Sequence, residues 1–224
     1  MSFTNAGKKR LVLASTSPRR REIVEALDPA PECVAPAGDE SSPRPGESPE
    51  DYVLRLSLDK ARSVADTTGP ATVLGADTVV ALDAEILGKP DDVVDATRML
   101  KMLRGRTHSV VTGVAAIDTQ TGRSAVASRE SRVTIRPLSD DELLVYIAQE
   151  SPLDKAGAYG VQDKRAGLAK AVGGCYLNVV GLPLCEVITL LDRFPTDTQL
   201  RNGWRPPAEC VDCDLSDRRE AHTS

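Results

Sequence analysis

The run Leu11-Val12-Leu13-Ala14-Ser15-Thr16-Ser17-Pro18-Arg19-Arg20-Arg21 carries an apolar strand directly into small hydroxyl side chains, a proline and three arginines. Ser17 suits a helix N-cap and Pro18 the first helical turn, so the unpaired N–H groups of that turn would face the same space as the guanidinium groups. Both favour an anion, and the arginine fork matches phosphate oxygens in pairs. The competing reading is a solvated helix face behind a simple serine cap. A second segment, Val73-Leu74-Gly75-Ala76-Asp77-Thr78-Val79-Val80, sets a carboxylate inside an otherwise apolar strand. A buried aspartate needs a partner or a metal. At a strand end Asp77 could hold Mg²⁺ and take a proton from an attacking water, as hydrolysis at phosphorus requires. Its competing reading is a turn aspartate bonded to backbone amides. Three lysines sit in constrained settings: Lys60, Lys89 in Gly88-Lys89-Pro90, and Lys155 in Asp154-Lys155-Ala156-Gly157. With Arg19 and Arg20 they could neutralise a triphosphate and its leaving pyrophosphate, because positioning and charge dominate phosphoryl chemistry.

These residues need a scaffold, and 224 residues with 41% hydrophobic content suffice for one domain with a full core. A net charge of -5 argues against a surface built to hold long nucleic acid, while leaving room for one anion pocket. With 3% aromatic residues and one Trp there is no stacking platform for single strands, so a small phosphorylated ligand fits better. The polar, basic start and the short apolar run before Ser15 give neither a signal-peptide core nor a membrane span, which predicts a cytoplasmic protein. Five scattered cysteines fit a reducing compartment. Cys210 and Cys213 form one CxxC pair with His222 far behind, short of a zinc ligand set. His108 reads as a packing residue at a strand start.

Hydrophobic periodicity predicts helices over 19–27, 49–68, 95–103, a capped helix from Ser139, and 184–191. Strands are expected over 72–76, 78–82, 108–118, 124–136 and 168–172, with 84–87 as a returning hairpin arm. Residues 28–47 read as a loop. From 195 to 224 the composition turns polar and Pro-rich, which predicts a flexible extension outside a domain spanning 1–194.

Taken together, these segments resemble the Maf family of nucleoside triphosphate pyrophosphatases. The resemblance rests on Ser15-Thr16-Ser17-Pro18-Arg19-Arg20, Arg55-Leu56 with Lys60-Ala61, Gly75-Ala76-Asp77-Thr78, Gly88-Lys89-Pro90, and His108-Ser109-Val110 with Thr112-Gly113. It continues through Asp154-Lys155-Ala156-Gly157-Ala158-Tyr159-Gly160-Val161-Gln162 and Val180-Gly181-Leu182-Pro183, covering roughly residues 10 to 193 in order. It implies an α/β (mixed α+β) fold, with an elongated mixed sheet flanked by helices in an ITPase-like, two-lobed architecture around a central cleft. It also implies a homodimer, a divalent cation (Mg²⁺ or Mn²⁺), and hydrolysis between the α- and β-phosphates to give a nucleoside monophosphate and pyrophosphate. Carried over residue by residue, Asp77 is the expected proton acceptor and metal ligand, and Ser15, Arg20, Lys60 and Lys89 hold the phosphates. The family's metal-binding glutamate falls in the loop before the second helix, where an ungapped count reaches Ser41. A one-residue shift gives Glu40, with Asp39 as a substitute.

Arg19, Thr78 and Gln162 occupy the three positions that separate the family's subgroups, and this combination resembles the subgroup acting on dTTP and UTP. The Gln162 amide offers one donor and one acceptor, complementary to the O4 and N3–H edge of thymine or uracil. Two other readings stand beside this one. A nucleotide-sensing regulator of cell division, with weak hydrolysis, would not need every basic position. A phosphomonoesterase would need a paired-aspartate nucleophile motif, and the sequence has none.

Overall fold

The structure, a computed structural model, describes residues 9–38, 40–83, 85–150, 152–163 and 167–210. The chain forms β1 (Arg10–Ala14), α1 (Pro18–Val24), β2 (Leu27–Asp28), β3 (Glu32–Val34), α2 (Pro49–Ala65), β4 (Ala71–Leu82), β5 (Glu85–Leu87) and α3 (Val93–Leu103). There follow β6 (Thr107–Asp118), β7 (Ser124–Ile135), α4 (Asp140–Gln149), β8 (Ala169–Gly173), α5 (Tyr176–Val180), α6 (Leu184–Leu191) and β9 (Gln199–Leu200). Two 3₁₀ turns, Pro152–Asp154 and Ala156–Ala158, lie between α4 and β8.

Seven strands make one mixed sheet in the order β3-β1-β4-β6-β7-β8, with β5 also paired to β4. β3, β1 and β4 run parallel and the remaining pairs antiparallel. The predicted break at Asp77 does not occur. β4 runs unbroken from 71 to 82, because every residue from Thr72 to Ala81 is matched in register by β6.

Strand alternation divides the core. Leu74, Ala76, Val114 and Ala116 pack beneath α1, α5 and α6, whereas Val80, Leu82, Val110 and Val133 lie under α3 and α4 on the same face. Between these two apolar clusters the register pair Thr78–Thr112 interrupts the face with hydroxyls, and a cleft opens there. The opposite face carries α2, with Ala61 and Val64 against Val73 and Ala115, and Val53 and Leu56 against Val79 and Val111. Helix α2 starts where its sequence marks it, with Ser48 as N-cap accepting from the Asp51 N–H.

Glycine brings α2 unusually close to the sheet. A Cβ on Gly75 would sit 2.1 Å from the Ser57 carbonyl oxygen, and one on Gly113 would sit 2.4 Å from that of Val53. Short elements differ from the sequence reading. α1 ends at Val24, and Leu27, expected in that helix, pairs instead with Leu200. β3 lies where a loop was expected, and α5 falls in a stretch to which no element was assigned. The segment after Phe194, expected to lie outside the core, lies against it as far as it is described. β9 pairs with β2, Lys9 donates its N–H to the Pro195 carbonyl at 2.9 Å, and Leu200, Trp204 and Cys210 pack on the α1/α5/α6 cluster. Cys213 and His222 lie outside the described residues.

Candidate functional site

The cleft encloses about 550 Å³, within the usual range for a small-molecule site. Ser15, Arg19, Arg20, Glu40, Lys60, Asp77, Thr78, Lys89 and Gln162, nine residues drawn from six stretches of sequence, all line it.

Asp77 stands in mid-strand on β4 and is 5% exposed. α2 runs just above it, held close at Gly75 and Gly113, so Lys60 reaches down and its ammonium bonds Asp77 Oδ1. The same Nζ donates to Glu40 Oε1 at 2.7 Å, and Lys89 Nζ lies 3.6 Å from that oxygen. Burial pushes the Asp77 carboxyl above its ordinary pKa, opposed by Lys60 and then Arg20. Burial also works against ionised Glu40, but Lys60, Lys89 and Arg20 together hold it below its ordinary range. Two hard carboxylate oxygens therefore converge on one cationic point at the cleft. That donor set fits a divalent cation, such as Mg²⁺, that keeps water or phosphate oxygens for its remaining positions. Among the described residues no cluster of three or more His, Cys, Asp or Glu is placed to hold a metal. The ungapped count to Ser41 is not what the geometry selects. Ser41 faces away, its Oγ accepting from Arg55 Nη1 at 2.5 Å, and Glu40 occupies the cleft. Asp39 lies outside the described residues.

The arginine corner is built differently from the sequence picture. Ser17 holds the N-cap position of α1 without a side-chain cap bond, and its N–H donates instead to Ser15 Oγ at 3.2 Å. Arg20 is fixed from below: Nε donates to the Gly181 carbonyl at 2.8 Å and Nη2 to Thr78 Oγ1 at 3.1 Å. Burial lowers its pKa, with Asp77 and Glu40 opposing, yet guanidinium stays charged across the physiological range. Arg19 turns to the far lobe, bonding Asp154 Oδ2 and the Asp154 carbonyl, both at 2.8 Å. Arg21 does not line the cleft. Lys155, 7% exposed, lies 3.4 Å from Asp163 Oδ2 and 3.7 Å from Asp154 Oδ1.

Several of the contacts had no signal in the sequence, although Thr112 itself stands in one of its motifs. Thr112 Oγ1 meets Thr78 Oγ1 at 2.9 Å and donates to the Asn178 carbonyl at 3.0 Å, tying the cleft floor to α5. Tyr146 Oη bonds Asp163 Oδ2 at 2.7 Å and accepts the Gly160 N–H at 3.0 Å, which braces the turn carrying Gln162. These contacts join residues far apart in sequence, beyond the reach of any local spacing rule. His108 is 2% exposed, pairs with Tyr159 Oη at 2.6 Å, and is pulled down to about 4 by burial. It is neutral at pH 7, as a packing residue would be.

The family model described as Maf-like protein matches residues 10–194, which span every element that lines this cleft. The chain belongs to the Maf family. A Maf relative called dTTP/UTP pyrophosphatase from Geobacter sp. (strain M21) is 46% identical over 181 residues, covering 81% of this chain and 93% of the relative. Proteins of the same description from Moorella thermoacetica and Dictyoglomus thermophilum are 46% and 41% identical, each covering 84% of this chain and 96% and 97% of themselves. No helix among the described residues of this Maf protein is long and apolar enough to cross a membrane.

Proposed function

We propose that this Maf protein hydrolyses dTTP and UTP between the α- and β-phosphates, releasing the nucleoside monophosphate and pyrophosphate into the cytoplasmic nucleotide pool. The observation that carries the reading is the single cationic point shared by Asp77 and Glu40, facing Arg20 and Lys89 across one cleft. That is a proton acceptor among phosphate-neutralising groups, the arrangement phosphoryl chemistry requires. The relatives' descriptions add the substrate class.

In this reading Arg20, Lys60, Lys89 and Ser15 bind the triphosphate oxygens, with Arg20 pre-set by Gly181 and Thr78 so that little ordering is left to binding. Asp77 accepts the proton of the attacking water, for which a carboxyl raised by burial is the better base. Asp77 and Glu40 would hold Mg²⁺ or Mn²⁺, which when bound supplies further charge neutralisation at the phosphates. Arg19, Thr78 and Gln162 sit where the base is to be selected.

The test is product release from dTTP, UTP, CTP, GTP and 7-methyl-GTP with each metal. Metal-dependent pyrophosphate from dTTP and UTP supports the reading. Tight nucleotide binding without turnover would replace it with a sensor, and inorganic phosphate with a phosphomonoesterase.

A further inference from the structure

Arg55 and Glu47 do not line the cleft, yet their contacts end beside one of its carboxylates. Tyr52 and Arg55 lie at i, i+3 on one face of α2, with the guanidinium carbon 5.3 Å from the Tyr52 ring centre. Arg55 grips Glu47 with its fork: Nε donates to Oε1 and Nη2 to Oε2, both at 2.7 Å. Nη1 reaches on to Ser41 Oγ at 2.5 Å, and Nη2 to the Ser42 carbonyl at 3.3 Å. Tyr52 Oη donates to the Ser41 carbonyl at 3.1 Å. Glu47 Oε2 also accepts the Arg44 N–H at 2.9 Å, and the Glu47 N–H returns to the Arg44 carbonyl at 3.0 Å. The Arg55 and Glu47 side chains are 14% and 9% exposed, so the pair is largely withdrawn from water.

Residues 40–47 form no helix or strand, so no backbone ladder fixes Ser41. A segment of that kind must otherwise be ordered when it is used, at an entropic cost. An ion pair withdrawn from water gains little net stability, because desolvation offsets the attraction, but a bidentate guanidinium–carboxylate pair is strict in its geometry. Helix α2 does not depend on the pair for packing, since Val53, Leu56, Ala61 and Val64 bury its apolar face. What the pair fixes is the backbone next to Glu40, whose carboxylate meets Lys60, from the same helix, at 2.7 Å. The geometry points to Arg55 and Glu47 as positioning residues that lock Ser41 onto α2 and thereby hold Glu40 ready as a divalent-cation ligand beside Asp77. This role rests on the reading of Asp77 and Glu40 as that cation's carboxylates. Arg55 and Glu47 act by keeping the Glu40 oxygens where a cation meets them, so that binding need not order the loop.

The experiment is titration of the nucleotide-free, full-length protein with Mn²⁺, reading free Mn²⁺ by electron paramagnetic resonance. The Mn²⁺ concentration for half-maximal pyrophosphate release from dTTP is measured alongside. Arg55→Gln and Glu47→Gln are each expected to weaken Mn²⁺ binding by about 10- to 100-fold, the usual effect of removing a partner behind a metal ligand. Both are expected to raise the half-maximal Mn²⁺ concentration while kcat at saturating Mn²⁺ stays within a few-fold of wild type. Arg55→Lys, which keeps the charge but loses the fork, is expected to weaken binding as well. A purely structural role would reduce the folded fraction without moving the Mn²⁺ constant of the molecules that remain. Arg55→Gln added to Glu40→Gln is expected to weaken binding no further than Glu40→Gln alone, because one residue then acts only through the other. Should Arg55→Gln fail to fold, Glu47→Gln, nearly isosteric and still an acceptor for the Arg44 N–H, carries the test. Unchanged Mn²⁺ affinity in Arg55→Gln and Glu47→Gln, alongside weakened affinity in Glu40→Gln, overturns the positioning role, as does a double variant weaker than Glu40→Gln. A wild type that binds no Mn²⁺, or Glu40→Gln that binds it as wild type does, overturns instead the metal-ligand reading beneath it.

Discussion

At the scale of single residues the site is a contest between burial and charge. Asp77 is buried in mid-strand, which raises its pKa; Lys60 and Arg20 oppose that but do not cancel it. A carboxyl with a raised pKa loses its proton at higher pH than usual. Activity that needs ionised Asp77 therefore falls as pH drops through a value above the ordinary 3.8. The rate of pyrophosphate release against pH is expected to show that displaced acidic limb in the wild type, and a limb at the ordinary value would contradict it. Gln162 offers a second residue-scale check, because an amide presents donor and acceptor together whereas a carboxylate only accepts. Gln162→Glu is expected to cut kcat/KM for UTP by roughly tenfold or more, the loss of one base-edge hydrogen bond. Unchanged preference for UTP over 7-methyl-GTP would remove the base-reading role.

At the scale of elements, the distance between α2 and the sheet determines whether Lys60 reaches Asp77. A Cβ at position 75 would meet the Ser57 carbonyl at 2.1 Å, and backbone cannot step aside as a flexible side chain can. Gly75→Ala is expected to destabilise by about 1–3 kcal/mol in urea unfolding, the usual cost of overpacking, and to lower turnover through Lys60. Stability and activity both at wild-type level would show that the helix position is not tightly set. Much of this level was legible in the sequence. The Ser48-Pro49 start of α2, the Ser139/Glu142 capping box and the apolar run of β6 are local patterns, and each element stands where those patterns put it. β2, β3, β9 and α5 were not legible, since elements of two to five residues carry too little periodicity to register. The break expected at Asp77 failed for a different reason. Its polarity argued for a strand end, but ladder pairing with Gly113 and an ammonium partner keep a charged residue in a continuous strand. Most of the residues that line the cleft were legible because they stand in contiguous motifs. Asn178 and Tyr146 were not, because their partners are brought to them only by folding.

At the scale of the whole molecule, residues 195–210 act as a strap. β9 adds to β2, the Arg201 N–H donates to the Ala26 carbonyl at 2.8 Å, and Leu200 and Trp204 cover apolar residues behind α1 and α6. Deleting residues 195–224 uncovers that surface and is expected to cost on the order of 2–4 kcal/mol, the worth of one or two large side chains moved into water. A melting temperature unchanged by the deletion would show the strap to be passive. The chain also unites its cleft from distant segments: β1, β4, the turn after β5, the loop before β8 and the end of α5 each supply part of one wall. What the whole assembly is claimed to do rests on Asp77, so the most direct test pairs pyrophosphate release from dTTP with nucleotide affinity for the wild type and Asp77→Asn. The prediction is a loss of about 10²- to 10⁴-fold in rate, the range for removing a general base, with dTTP still bound. Turnover within a few-fold of wild type in Asp77→Asn would contradict it.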